Sequence, residues 1–434
     1  MKAVVLMLAL PLALAAQEPA DTGVRVIRLD DAVRLAQENA PAAVQARGDL
    51  RTSKAQVRSA YASFIPSLSL NASTTHSSNS GQRVNDQGQV VGGSQPWQYG
   101  NGLSLNMDLF DGGRRIFDVR ASKAQVGASA ASEVAERYQV ALQVKQQFFA
   151  VLAAGEAEAA ARAQLAEAEQ QLATSTAMLR ARTATRSDSL RAVIQVGNAR
   201  LALLNALNDR RTADASLTRL VGTNFPVTAS PQDTVAETLV EVDSAAIMAL
   251  VEEGPAVRQA SAAEVAAHAS SKAARAPYLP TISLGWSLSG NGGTDQFALA
   301  AGDYRYSRQF RIGLSYPLFN QLNREEGIVR ADVAERNAEA SLRDAKLLAR
   351  QNLIQYLGAL RTAQEQMAIQ IASVAAAEED LRVQKQRYQL GASLQLDVLT
   401  SETALVQARA ALIQARYDYR VAKAQLEALI GRDL

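Results

Sequence analysis

The sequence predicts a mixed, predominantly α-helical fold in which one unit, ordered helix, strand, strand, long helix, helix, occurs twice. The first observation is a repeated motif: residues 64–70 (FIPSLSL) return as residues 278–284 (YLPTISL), and Leu-Val-Gly222 returns as Leu-Ile-Gly431. The nearly equal spacing of the two pairs indicates a duplicated unit of more than 200 residues, too long for a solenoid repeat. Segments of alternating polarity and long stretches with coiled-coil spacing are the other two observations.

The start of the chain has the pattern of a secretory signal peptide, which we expect to comprise residues 1–15. Lys2 precedes an apolar run that reaches Ala16, and Ala13-Leu14-Ala15 forms a cleavage site of the A-x-A type. A membrane anchor would need about 20 apolar residues, whereas a glutamine and a glutamate end this run early. The mature chain is therefore expected to leave the cytoplasm.

The composition argues against a nucleic-acid-binding protein and against an enzyme. The formal net charge is +2 and charges of both signs are interleaved, so the sequence lacks the concentration of basic residues that binds nucleic acid. Two histidines and no cysteine leave few of the usual metal ligands and nucleophiles. Acidic pairs such as Asp30-Asp31 and Glu378-Glu379 fall on polar helix positions, where charges are usually solvated. We expect no catalytic residue, no cofactor and no metal site.

The two copies of the unit divide the mature chain. The first is predicted to span residues 16–222 and the second residues 243–434, with a linker at residues 223–242. In both copies helical patterning stops at the proline of the repeated motif, Pro66 or Pro280. Alternation of polarity begins directly after each proline.

Four strands are predicted, over about residues 66–76, 97–110, 280–290 and 304–318. Apolar and polar residues alternate in each with the period of two expected of a strand with one apolar face. Their length of about ten residues suits a tilted strand that crosses an outer membrane. The apolar positions expected to face lipid include Leu68, Leu70, Leu103, Leu105, Ile282, Leu284, Ile312 and Leu314. Aromatic residues at the loop ends, where an interfacial girdle would form, are Trp97, Tyr99, Tyr304 and Tyr306.

Four strands in one chain leave two open edges, which lipid does not tolerate. A soluble sandwich would need a second sheet or covering helices, and the remaining helices are too long to fold over so small a sheet. The barrel must therefore be shared between chains. Two chains would give eight strands and three would give twelve, and only the larger barrel leaves a wide aqueous lumen. Polar loops over residues 73–95 and 290–304 are expected on the outer side.

Long coiled-coil helices are predicted over about residues 113–182, 188–222, 323–390 and 394–431. One apolar seam with alternating four- and three-residue steps comprises Ala161, Leu165, Ala168, Leu172, Ser175 and Leu179. The second copy repeats this seam in the same register at Val374, Ala377, Leu381, Gln384 and Tyr388. The longest helices would span about 100 Å. Each copy would contribute one continuous and one interrupted rod, so three chains would align twelve rods with the twelve strands.

The motifs taken together resemble the TolC-like outer membrane efflux proteins over essentially the whole mature chain. Besides the repeated motif, they include Leu109-Phe-Asp-Gly-Gly-Arg114 at the entry to a long helix, and Gly391-Ala-Ser-Leu-Gln-Leu-Asp-Val-Leu399 between two helices. The resemblance implies a trimeric channel-tunnel: a twelve-stranded β-barrel in the bacterial outer membrane continued by a twelve-helix α-barrel in the periplasm. It also implies two partners, a periplasmic adaptor and an inner-membrane pump.

The resemblance further implies where such a channel closes and where the adaptor binds. Asp397, Asp188 and Tyr388 match positions at which family members close the periplasmic entrance. Thr400 and Ser393 depart from the family pattern, which has an aspartate and an arginine there, and Arg182, Arg186 or Arg387 could supply a substitute cation. The expected adaptor-contact residues lie at two helix tips: Arg182, Thr183, Ala184, Arg186, Gly391, Ala392, Ser393 and Leu394.

Two other classes remain as alternatives. A periplasmic adaptor, or a coiled-coil scaffold without a pore, would also present a long helical hairpin. An adaptor, however, would show one hairpin followed by soluble β-domains, whereas this sequence predicts two hairpins and four lipid-compatible strands. An enzyme is disfavoured by the composition. The sequence carries no signature of the exported substrate or of the class of pump.

Overall fold

The computed structural model describes residues 23–77, 86–88, 97–182, 185–231, 244–294, 297 and 304–434. Several predicted features lie wholly or largely outside these residues: the signal peptide (1–15), Thr183 and Ala184, most of the loops at 73–95 and 290–304, and most of the linker at 223–242. Within the described ranges, no helix combines the length and the apolar character needed to cross a membrane.

The described chain is predominantly helical. The helices are α1 (Leu29–Asn39), α2 (Pro41–Ala62), α3 (Arg114–Arg180), α4 (Arg186–Val221), α5 (Ser244–Val251), α6 (Pro255–Ala274), α7 (Asn323–Gln389) and α8 (Gln395–Ile430). The strands are β1 (Arg25–Ile27), β2 (Ser67–His76), β3 (Trp97–Phe110), β4 (Val227–Ala229), β5 (Thr281–Thr294) and β6 (Arg305–Ser315). The chain forms two compact units: the described residues within 1–45, 136–254 and 350–434, and those within 46–135 and 255–349.

The first unit has a helical core to which α1, α3, α4 and α8 contribute. Its buried side chains include Ala32, Val144, Phe148, Leu217, Val221 and Tyr417. Beside this core β1 pairs in parallel with β4, with Arg25 opposite Val227 and Ile27 opposite Ala229. Strand β4 lies in the segment that the sequence marks as a linker. The sequence does not predict this strand, because three residues are too few to show alternation.

Helices α4 and α8 end in the same way, at the glycines of the repeated Leu-x-Gly motif. Gly222 and Gly431 both adopt a left-handed conformation with φ 72° and ψ 31°. Their N–H groups donate to the carbonyl oxygens of Thr218 and Glu427. Glycine suits this cap because it has no Cβ to clash at positive φ. The two helices have 36 residues each and α3 and α7 have 67 each, or about 100 Å.

The second unit contains one antiparallel four-stranded sheet in the order β2, β3, β5, β6. Strands β2 and β5 each follow the helix-breaking signal that the sequence showed, Pro66 before β2 and Pro280 before β5. Strands β2 and β6 are the edges, and neither has a second partner strand within the described part of the chain. The sheet therefore ends in two rows of unpaired backbone groups.

The strands differ from the prediction in three details. Strand β6 ends at Ser315 instead of residue 318, because Pro317 lacks the N–H that a strand needs. Strand β5 continues past residue 290 to Thr294. The predicted unbroken alternation through Leu109 is wrong, because a β-bulge follows Asp108 and Phe110 is the residue that pairs with Ile282.

Candidate functional site

The sheet has one continuous apolar face. Directly paired residues on neighbouring strands point to the same side, and the pairing register aligns the apolar positions in rows. The rows of apolar residues include Leu68, Leu105, Trp286 and Phe310; Leu70, Leu103 and Leu288; Leu284 and Ile312; and Ile282 and Leu314. All eight residues that the sequence assigned to a lipid-facing surface thus share one face. In the single chain Leu70 is 78% exposed and Leu314 is 72% exposed.

The opposite face of the sheet is polar. It carries serine, asparagine and glycine, and its hydroxyls bond across strands: Ser69 to Ser104 at 2.6 Å and Ser289 to Ser307 at 2.8 Å between Oγ atoms. Its charged residues include Asp108, Arg305 and Arg311, which alternate with the apolar positions of β3 and β6. This face is suited to contact water, since the hydroxyls and amides need hydrogen-bonding partners.

Aromatic side chains cluster at the loop ends of the strands. The Trp97 ring lies 4.5 Å from that of His76 and 5.0 Å from that of Phe297, between centroids. Tyr304 and Tyr306 form a second pair, with centroids 6.1 Å apart. Tyr99 differs from these residues because it is buried within the chain, with an exposed fraction of 6%.

At the other end of the long helices, one turn joins α3 to α4, of which Thr183 and Ala184 lie outside the described residues, and a second turn joins α7 to α8. In the first turn Arg182 has a left-handed φ of 60°. Thr185 then caps α4, because its side-chain oxygen accepts from the Asp188 N–H at 3.2 Å. The Asp188 carboxylate in turn accepts from the Thr185 N–H at 3.0 Å and its hydroxyl at 2.7 Å. This capping box starts α4 at Arg186, two residues earlier than predicted.

The second turn repeats this arrangement without a capping hydroxyl. Gly391 adopts φ 72°, and the Ala392 N–H donates to the Arg387 carbonyl at 2.8 Å. The Asp397 carboxylate accepts the Leu394 N–H at 2.9 Å, and so caps α8 as Asp188 caps α4. Leu394 is 70% exposed and Leu390 is 83% exposed, so this tip carries apolar side chains in water.

The beginnings of α4 and α8 contact each other. With its amide oriented to donate, Gln395 reaches the Asp188 carboxylate at 3.2 Å and its carbonyl at 3.3 Å. Tyr388 packs beside Leu381 and Val398. Burial raises the pKa of Tyr388, and the nearby negative charge of Asp188 raises it further. The three residues that the sequence assigned to a gate therefore lie in one neighbourhood, which Gln395 joins.

The two residues that depart from the family pattern bond within their own hairpin. The Thr400 hydroxyl donates to the Leu396 carbonyl at 2.9 Å, and the Ser393 hydroxyl donates to the Gln384 carbonyl at 3.4 Å. Neither contact reaches across to α3 or α4.

Lys385 is one of the cations that link the two hairpins, and the sequence did not single it out. It pairs with Glu167, so α7 is tied to α3 above the tips. The candidate cations Arg182, Arg186 and Arg387 form no ion pair in the part of the chain that the structure describes. Glu402 of α8 lies close to this pair: burial and the charge of Glu167 raise its pKa, and Lys385 lowers it.

The fold and these two turns correspond to a known family. The family model described as outer membrane efflux protein matches residues 32–223 and 246–432, which is most of the chain. The chain belongs to the outer membrane efflux protein family. This assignment places it among the outer membrane efflux proteins.

Relatives and solved structures agree with this assignment. The toluene efflux pump outer membrane protein TtgC of Pseudomonas putida is 29% identical over 225 residues, 50% of this chain and 44% of TtgC. Protein CyaE of Bordetella pertussis is 28% identical over 335 residues, 74% of this chain and 67% of CyaE. The chain thus matches less than half of the length of TtgC. The CmeC outer membrane channel of Campylobacter jejuni shares the fold, with a TM-score of 0.74 at 18% identity over 99% of this chain and 94% of CmeC.

Proposed function

We propose that three copies of this chain form a passive channel-tunnel through which substrates leave the periplasm across the outer membrane. The observation that carries the proposal is the sheet with one apolar face and two unpaired edges. Open edges are not stable in hydrocarbon, because lipid offers no hydrogen bonds to the free N–H and C=O groups. Pairing β6 of one copy with β2 of the next satisfies both edges, and three copies close a barrel of twelve strands.

The long helices would continue this barrel as a tunnel in the periplasm. The equal lengths of α3 and α7 and of α4 and α8, with the same glycine cap on α4 and α8, support a duplicated unit over residues 16–222 and 243–434. Three chains would then supply twelve rods around one axis. The polar face of the sheet would line the lumen above them, while the apolar face meets lipid.

The helix tips would form the entrance, which a periplasmic adaptor opens. The docking surface comprises Arg182, Thr183, Ala184 and Arg186 on one tip and Gly391, Ala392, Ser393 and Leu394 on the other. Leu390 and Leu394 on the second tip are exposed, and this supports the proposal. Removing an apolar side chain from water is favourable in free energy, so a partner that covers these leucines would bind there. The energy for export would come from an inner-membrane pump, the second partner that the family resemblance implies. TtgC is described as the outer membrane protein of a toluene efflux pump.

Asp397, Asp188 and Tyr388 would act at the closed entrance. Three copies of Asp397 around the axis would concentrate negative potential there and favour cations. Arg191, on α4 beside Asp188, would partly offset this potential. Opening requires the tips to move apart, and Lys385 with Glu167 is a contact that would resist this movement within each chain.

Conductance across a planar lipid bilayer tests the proposal. The protein is expected to need detergent for extraction and to have the mass of a trimer when purified. In the bilayer it is expected to give discrete steps of ion current. A periplasmic adaptor or a coiled-coil scaffold, the alternatives, would stay soluble without detergent and would insert no pores. Soluble, non-conducting protein would therefore contradict the channel and favour these alternatives.

A further inference from the structure

One charged residue lies on the apolar face of the sheet. Alternation along β6 puts Arg308 on the same side as Phe310, Ile312 and Leu314. The pairing register gives the same result, because Arg308 stands opposite Leu288, which stands opposite Leu103. Among the strand residues that the structure describes, every other position on this face is apolar, aromatic or uncharged polar.

The position of Arg308 along its strand indicates the depth at which it would lie in a membrane. From the helix end toward the loop end, the face reads Leu314, Ile312, Phe310, Arg308, Tyr306. Arginine at the middle of the hydrocarbon costs about 2–4 kcal/mol, and near the interface about 0–1 kcal/mol. The change from aliphatic residues to tyrosine marks the interface, because tyrosine prefers the headgroup region. Arg308 thus lies where the apolar band ends.

The guanidinium of Arg308 is free to bind a ligand. The side chain is exposed, and it forms no ion pair or hydrogen bond with any described residue. Long cationic side chains extend from an apolar surface toward headgroups. A planar guanidinium matches a phosphate with two parallel hydrogen bonds. The neighbouring Tyr306 is 61% exposed and can offer its hydroxyl at the same level.

We propose that Arg308 binds the phosphate of a lipid in the outer leaflet, whose acyl chains lie against Leu288 and Phe310. The inference rests on the proposed function, because it requires the apolar face to meet lipid and the loop ends to point outward. A barrel of three chains would carry three such sites, one on each β6. Each lipid would lie close to the junction between neighbouring chains, since β6 is an edge strand.

The test is the binding of diphosphoryl lipid A to the purified full-length protein in detergent, measured by native mass spectrometry. We expect R308Q to need about ten times more lipid A for half occupancy, as expected for the loss of charge-assisted hydrogen bonds. R305Q is the matched control, because Arg305 lies on the polar face of the same strand. R308K should retain part of the affinity, since it keeps the charge and loses the paired hydrogen bonds.

Two results would overturn the lipid site: unchanged lipid A occupancy in R308Q, or an equal loss in R305Q. Conductance of the same preparations separates this inference from the channel itself. Normal conductance with unchanged lipid A binding in R308Q contradicts only the lipid site. Wild-type protein that opens no pores contradicts the channel, and with it the assignment of the apolar face to lipid.

Discussion

At the residue scale, Asp188 and Asp397 have an observed role as helix caps and a proposed role at the entrance, and the two can be separated. Each carboxylate accepts the backbone N–H of the residue three positions earlier and so caps its helix. A capping acid is favourable at a helix N-terminus on its own account. The proposed role at the entrance depends instead on the negative charge.

Replacing Asp397 tests these roles one at a time. D397N keeps an oxygen that can accept the Leu394 N–H, so α8 should stay capped while the cation preference weakens. D397A loses the cap as well, which costs about 1 kcal/mol of helix stability, and should also raise the leak conductance. Reversal potentials in a salt gradient measure the preference. An unchanged preference in D397N would place the selective charge elsewhere.

Glu402 makes the stability of the helical unit depend on pH. Burial raises the pKa of this carboxyl and the charge of Glu167 adds to the rise, while Lys385 opposes it. Its Oε1 atom is buried and has no hydrogen-bond partner among the described residues. Because the pKa of Glu402 is raised in the folded state, this group contributes to stability at pH values below its ordinary pKa of about 4.5. The contribution is lost as the pH rises through the raised pKa.

E402Q should therefore be more stable than the wild type at neutral pH, and the difference should vanish near pH 4. Thermal unfolding of both proteins at neutral pH and near pH 4, followed by the circular dichroism signal of the helices, measures the difference in stability. The control is E379Q, because the Arg382 hydrogen bond lowers the pKa of exposed Glu379 and the pH effect has the opposite sign. An E402Q protein that is less stable than the wild type at neutral pH would contradict the account.

At the element scale, the ion pair of Lys385 and Glu167 ties the second helical hairpin to the first. Its side chains are 35% and 40% exposed, so its contribution to stability is only about 0–1 kcal/mol. A weak contact that spans two elements can still bias a movement between them, because opening has to break it. The pair is therefore expected to affect gating more than folding.

Charge reversal tests this link. E167K should raise the leak conductance, because it places two cations together, and the double variant E167K/K385E should restore the closed state. R382Q serves as control, since Arg382 pairs with Glu379 on its own helix. Single-channel recordings give the open probability. Equal leak in the single and double variants would show that the pair does not hold the entrance closed.

The elements also show which features of the fold a sequence can predict. Long segments with strong periodicity or clear end signals were located within a few residues, as with the strands after Pro66 and Pro280 and the helices that end at Gly222 and Gly431. The pairing of β1 with β4 and the bulge beside Leu109 could not be predicted, because neither changes a local pattern. Lys385 and Glu167 were missed because a surface charge has many possible partners until the helices are placed.

At the scale of the whole molecule, the proposed channel depends on the completion of one sheet by other copies. The chain has no cysteine, so pairs of introduced cysteines report contacts between copies without background. Asn71 on β2 and Ser307, Gln309 and Arg311 on β6 all lie on the polar face of their edge strands. N71C combined in turn with S307C, Q309C and R311C samples the possible registers of an edge-to-edge pair.

The most direct measurement is oxidative cross-linking of these double variants in membranes, resolved by denaturing electrophoresis. We expect one register to give bands of two and three chains, and no band to exceed three chains. Single-cysteine variants should give no three-chain band. A chain that stays uncross-linked in every register, and that has the mass of a single copy in solution without detergent, would contradict the shared barrel.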